Sequence, residues 1–107
     1  MYKTIEIDGK EMAFAANAAT PFRFKQTFKK DLFYVLGNEE RAEADGLETI
    51  MQLAFIMAKQ AEKADMTQLN DEQFIEWLEG FSGMAFVDKA EEILNVYLES
   101  TTATSTP

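Results

Sequence analysis

The chain of 107 residues contains neither cysteine nor histidine. Without cysteine it has no disulfide and no thiol nucleophile, and nothing in its composition argues for an oxidising compartment. Without histidine it also lacks the commonest zinc ligand and the one side chain that titrates near neutrality unperturbed. A catalyst built from this chain would rest on carboxylates, lysine, tyrosine or hydroxyls. Glycine is scarce as well, with five residues and no G-x-G-x-x-G or G-x-x-x-x-G-K-[ST] pattern to cradle a phosphate. Asp8-Gly9 resembles the start of a metal loop, but the oxygen ladder and closing glutamate of an EF-hand are missing, so it reads as a turn. No apolar run approaches the roughly 20 residues of a membrane span. The start, Met1-Tyr2-Lys3-Thr4-Ile5-Glu6-Ile7, has neither the apolar stretch nor the cleavage site of a signal peptide. The expected location is the cytoplasm, with no membrane partner.

What is present is apolar material and negative charge. Hydrophobic residues make up 47% of the chain and aromatic residues 12%, enough for the core of one domain. The net charge of −9 is unevenly spread. Residues 1–30 hold six basic groups against three acidic ones (+3), and residues 31–107 hold four against sixteen (−12). A net acidic surface repels phosphate backbones, which argues against nucleic acid as a partner. The split could align copies head to tail or steer a charged protein partner, although solvated acidic helix faces are the commoner outcome.

Thr4–Ile7 alternates polar and apolar, meets Asp8-Gly9-Lys10, and returns through residues 11–15. This predicts a hairpin over 3–15 with Ile5, Ile7, Met12 and Phe14 on one buried side. Thr20-Pro21 reads as a hydroxyl cap followed by proline in the first turn, opening a helix over 20–36 that ends at Gly37-Asn38. Phe24, Phe28, Leu32, Val35 and Leu36 form its inward stripe. Phe22 and Phe33 lie off it, and Arg23, Thr27, Lys30 and Tyr34 fall opposite. Residues 38–46 read as a charged connection or a fraying helix start. A second helix is predicted over 47–63, with Leu47, Ile50, Met51, Ala54, Met57, Ala58 and Ala61 on its inner face. Phe55 and Ile56 fall beside its polar side. Asn70, Gln73 and the Leu69–Phe74 pair form a capping box with a hydrophobic staple, opening a helix over 71–80. After Gly80–Gly83, a last helix over 84–99 turns Phe86, Val87, Ala90, Ile93, Leu94 and Tyr97 inward. The Ser/Thr-rich residues 100–107 read as a disordered tail. The fold class expected is therefore α+β and mostly helical: an N-terminal hairpin and about four helices packed as a small bundle, forming one domain over 1–99.

No residue pattern here builds a catalytic site. Glu39-Glu40 and Glu91-Glu92 are sequence neighbours, so on a helix the members of each pair do not share a face. Six methionines suit adaptable surfaces but more often fill cores. The expectation is a protein that binds other proteins, with no catalytic, cofactor or metal site. Its candidate partner surface is Phe22, Phe33, Phe55 and Ile56, with Arg23 and Lys30 as a charged rim.

The hairpin, the segment Ala18-Ala19-Thr20-Pro21-Phe22-Arg23-Phe24-Lys25-Gln26-Thr27-Phe28, the following helices and the polar tail together resemble the small tail assembly chaperones of long-tailed phages and Gram-positive prophages. The likeness runs over residues 3–98. It implies a non-enzymatic role in tail morphogenesis: binding the tape-measure protein and recruiting tail-tube subunits, in the bacterial cytoplasm and with self-association. It also implies that this chain is the short form of a product that ribosomal frameshifting can lengthen. The resemblance brings no residue-level site with it. The alternative is a small acidic adaptor that inhibits a host protein by occupying its surface.

Overall fold

The computed structural model describes residues 1–102, apart from the side chains of residues 41, 42 and 102. Strands β1 (Tyr2–Ile7) and β2 (Lys10–Ala15) form an antiparallel hairpin in which Ile5 faces Met12 and Ile7 faces Lys10. Its two-residue turn places Asp8 at φ 55° and Gly9 at φ 78°. Positive φ at both central residues matches the right-handed strand twist, and Asp-Gly supplies it at low cost. Ile5, Ile7 and Phe14 are buried, as the alternation predicts, and Met12 is half-buried. The opposite face pairs Glu6 with Glu11 directly, a repulsive cross-strand contact tolerable only because both are in water.

Helix α1 (Thr20–Phe28) and helix α2 (Leu32–Leu36) replace the single predicted helix over 20–36. The break lies at Lys29, which adopts φ 57° and closes α1 with a bond to the Lys25 carbonyl. Asp31 then starts α2, its carboxylate accepting the N–H groups of Phe33 at 2.9 Å and Tyr34 at 3.2 Å. A short acidic side chain stabilises a helix start better than a helix middle, which favours two helices over one. The start of α1 also differs from expectation. Ala19 occupies the cap, and the Thr20 hydroxyl accepts from the Asn17 N–H and donates to Gln60 Oε1 at 2.8 Å.

Helix α3 (Glu39–Glu62) is longer than predicted and runs through Gly46, so residues 39–46 are helical and not a connection. It is the axis of the molecule, packed against β2, α1, α2, α4 (Asp71–Leu78) and α5 (Ala90–Thr102). A short 3-10 turn at Met66–Gln68 precedes α4, whose capping box forms as predicted through Asn70 and Gln73. The fold class is α+β and mostly helical: among the described residues, an N-terminal hairpin followed by five α-helices.

The last helix begins six residues later than predicted. Residues 83–89 form successive turns closed by i→i+3 bonds such as Val87 N–H to the Met84 carbonyl and Lys89 N–H to the Phe86 carbonyl. This tighter winding lets Phe86 reach the rings of Trp77 (5.3 Å between centroids) and Phe81 (5.0 Å). Ile93, Val96 and Tyr97 are the buried residues of α5, while Val87 is exposed and Leu94 half-buried. Helix α5 continues to Thr102, so part of the expected tail is helical, and residues 103–107 lie outside the described residues.

Candidate partner-binding surface

Residues 52–58 of α3 are buried on every side of the helix. Phe55 is fully enclosed, with its ring 6.2 Å from Phe28, 5.6 Å from Phe74 and 5.5 Å from Trp77. Ile56 is also 0% exposed. Both therefore leave the candidate partner surface. The signal for this was the unbroken run Leu53-Ala54-Phe55-Ile56-Met57-Ala58, which exceeds one helical turn. A helix apolar all round is a buried helix, whatever stripe its flanks suggest.

Phe22 and Phe33 behave as the sequence suggested, at 74% and 60% exposed. The break at Lys29–Lys30 puts them on two separate helices. Phe22 stands on the outer face of α1, where Ala19, Phe22, Arg23, Lys25, Gln26 and Lys29 line an open depression of about 730 Å³. Arg23 Nη1 donates to Gln26 Oε1 at 3.0 Å on the same helix, which orients the guanidinium along that face. Phe33 stands on α2, its ring 6.5 Å from that of Tyr97, whose hydroxyl burial pushes toward a higher pKa. Tyr34 beside it is 55% exposed.

Lys30 lines a different depression from Phe22, beside Phe28 and Phe74. Its ammonium donates to Gln52 Oε1 at 2.9 Å, and Gln52 is only 6% exposed on α3. Lys30 thus fastens the α1–α2 junction to the central helix. Thr27, placed on the outer side by the sequence pattern, is buried, and its hydroxyl and that of Thr49 have no hydrogen-bond partner among the described residues.

A second apolar surface went unrecognised in the sequence. Leu36, Leu47, Ile50, Leu94 and Leu98, with Gly46 and Ala90, line a groove of about 390 Å³ between α2, the N-terminal half of α3 and α5. Leu47 and Leu98 remain 45% and 44% exposed. Their helical spacing reads as core, and most of these residues were expected to face inward.

Among the described residues no group of three or more aspartates or glutamates is placed to hold a metal ion. No described helix is long and apolar enough to cross a membrane. Comparison of the chain with protein-family models, curated proteins and solved structures finds no match.

Proposed function

We propose that the protein is a non-enzymatic binding protein, and specifically a tail assembly chaperone of a long-tailed phage that holds the apolar, helical tape-measure protein and helps recruit tail-tube subunits. The observation that carries the reading is the pair of exposed phenylalanines on α1 and α2. Phe22 and Phe33 are 74% and 60% exposed on helices fixed to the central helix by Thr20–Gln60 and Lys30–Gln52 hydrogen bonds. Large aromatic side chains displayed on a rigid support are the usual anchors of protein recognition, because little conformational entropy is lost when they are covered. The acidic body keeps such a protein in solution while its apolar surface is open, with a net charge of −9. The order of hairpin, Thr-Pro-aromatic-Arg helix start and amphipathic helices supplies the phage assignment, by resemblance.

The test is co-expression with a tape-measure protein of a long-tailed phage. The client should become soluble and co-purify, and Phe33→Ser should lose the client while keeping its helical circular dichroism. Client that stays insoluble beside abundant folded wild type would remove the chaperone reading. A host protein captured stoichiometrically would put an inhibitory adaptor in its place.

A further inference from the structure

Positive charge is concentrated on one helix face of a protein that is otherwise acidic. Arg23, Lys25 and Lys29 line the same depression on α1 as Phe22, and no acidic side chain lines it with them. Phe22, Lys25, Gln26 and Lys29 follow one another at i, i+3, i+4 and i+7, which sets the ring and two cations on one row about 10 Å long. Gln26 orients two of the cations. Its side-chain oxygen accepts from Arg23 Nη1 at 3.0 Å, and its carbonyl accepts from Lys29 Nζ at 2.9 Å. Among the described residues none of the three cations is in a salt bridge; the pairs present are Lys59–Glu62 and Lys89–Glu92. Asp65 lies close enough to Arg23 to feel its charge, but that carboxylate is engaged by the Thr67 N–H at 3.0 Å and hydroxyl at 2.6 Å.

An apolar anchor flanked by cations fits a partner whose apolar stripe is flanked by carboxylates. The net charge of −9 acts the other way, since the molecule as a whole attracts cations and repels anions. At physiological ionic strength, however, the screening length is about 8 Å, so the three cations on the row govern what touches it and distant acids do not. We infer that the Phe22 face of α1 receives an amphipathic helix of a partner protein that carries glutamate or aspartate beside its apolar stripe. The inference rests on the reading of Phe22 as a partner anchor and adds the charge of what that anchor meets. Cations already held by Gln26 lose little side-chain freedom on pairing. A nucleic acid suits the row less well, because its charge continues past it. Asp65 stands beside Arg23 and Asp31 stands two residues beyond Lys29, and both oppose an extended run of phosphates.

The experiment titrates the full chain into two fluorescently labelled helical peptides and reads their anisotropy. Both peptides carry the same leucine stripe, flanked by glutamate in one and by lysine in the other. The glutamate peptide should bind saturably, and more weakly in about 1 M NaCl, where the screening length falls to about 3 Å. Phe22→Ala and Lys25→Glu, both at exposed positions, should each weaken it about tenfold or more while circular dichroism stays helical. Any binding of the lysine peptide should be indifferent to both variants. The inference is overturned if the glutamate peptide does not bind at about 1 mM protein, or if both variants bind it as wild type does. A labelled single-stranded oligonucleotide that binds more tightly than the glutamate peptide, and is lost in Lys25→Glu, would also overturn it by making the row a phosphate reader. The outcome is separable from that of the chaperone test. Client that stays insoluble leaves a Phe22-dependent titration standing, and a failed titration leaves co-purification of the client standing.

Discussion

Phenylalanine has opposite surroundings at the centre of α3 and on the outside of α1 and α2. Phe55 is fully buried, in contact with three aromatic rings and with the Lys59 ammonium 5.7 Å above its face. Phe22 is three-quarters exposed, in a depression that it shares with the cations Arg23, Lys25 and Lys29. Both lie on helices and both fall away from the apolar stripe the sequence suggests. What separates them is what surrounds the helix: α3 is enclosed by the hairpin and four other helices, whereas α1 rests on α3 with its other side in water. Position on a helical wheel says which side a residue faces, and the number of neighbouring elements says whether that side is covered.

The largest effect expected follows directly. Phe55→Ala should lower stability by about 3–5 kcal/mol, the transfer and cavity cost of removing a core aromatic ring. Phe22→Ala should change it by less than about 0.5 kcal/mol. Urea unfolding of the two variants side by side checks the contrast. A loss of more than about 1 kcal/mol at Phe22 would mean its ring is part of the core after all.

Much of the fold was legible in the sequence because local chemistry determines it. The Asp8-Gly9 turn, the strand register and the capping box of α4 each depend on residues a few positions apart. The misplaced boundaries have a different origin. The cap at Asp31 splits one predicted helix into two, although the apolar periodicity continues across the break. Gly46 suggested the close of a connection before the helix over 47–63 but lies within α3, where neighbouring elements supply the stability that its backbone lacks. Of the candidate surface, Phe22 and Phe33 were legible as residues outside a stripe. The groove was not, because leucines at core spacing read as core until the neighbours that fail to cover them are known.

Two glycines refine the contrast between the packed and the displayed parts of the molecule, with opposite signs. Gly37 closes α2, donating its N–H to the Phe33 carbonyl at 2.8 Å. A Cβ at this position would lie 2.8 Å from that same oxygen, so the backbone carrying Phe33 would have to shift. Gly37→Ala should therefore cost about 1–3 kcal/mol, as overpacking against backbone does. At Gly46 a Cβ meets nothing within 4 Å, and the residue sits inside a helix at ordinary dihedrals. Gly46→Ala should stabilise by about 0.5–1 kcal/mol through helix propensity. Thermal unfolding of both variants reads the sign directly. Two changes of the same sign would show that propensity outweighs local sterics, or the reverse, at both sites.

The smallest effect concerns a polar tie between distant parts of the chain. The Asp8 carboxylate accepts the Ser82 N–H at 2.7 Å and the Ser82 hydroxyl at 2.8 Å, joining the hairpin turn to the connection before α5. The backbone bond first, then the hydroxyl bond, hold its pKa below the ordinary carboxylate value; slight burial opposes them and Lys10 assists. A carboxylate whose folded pKa is depressed contributes stability that is fully present above its unfolded pKa and lost as pH falls through the folded one. Asp8→Asn keeps a side chain that tolerates positive φ, so the turn survives and only the titrating charge is removed. The stability difference between wild type and Asp8→Asn should be constant above about pH 5 and shrink as pH falls below about 4, where the unfolded carboxyl begins to bind protons. Urea midpoints measured between those limits decide it. A difference that stays level down to about pH 3 would mean that Ser82 holds the turn equally well without the charge.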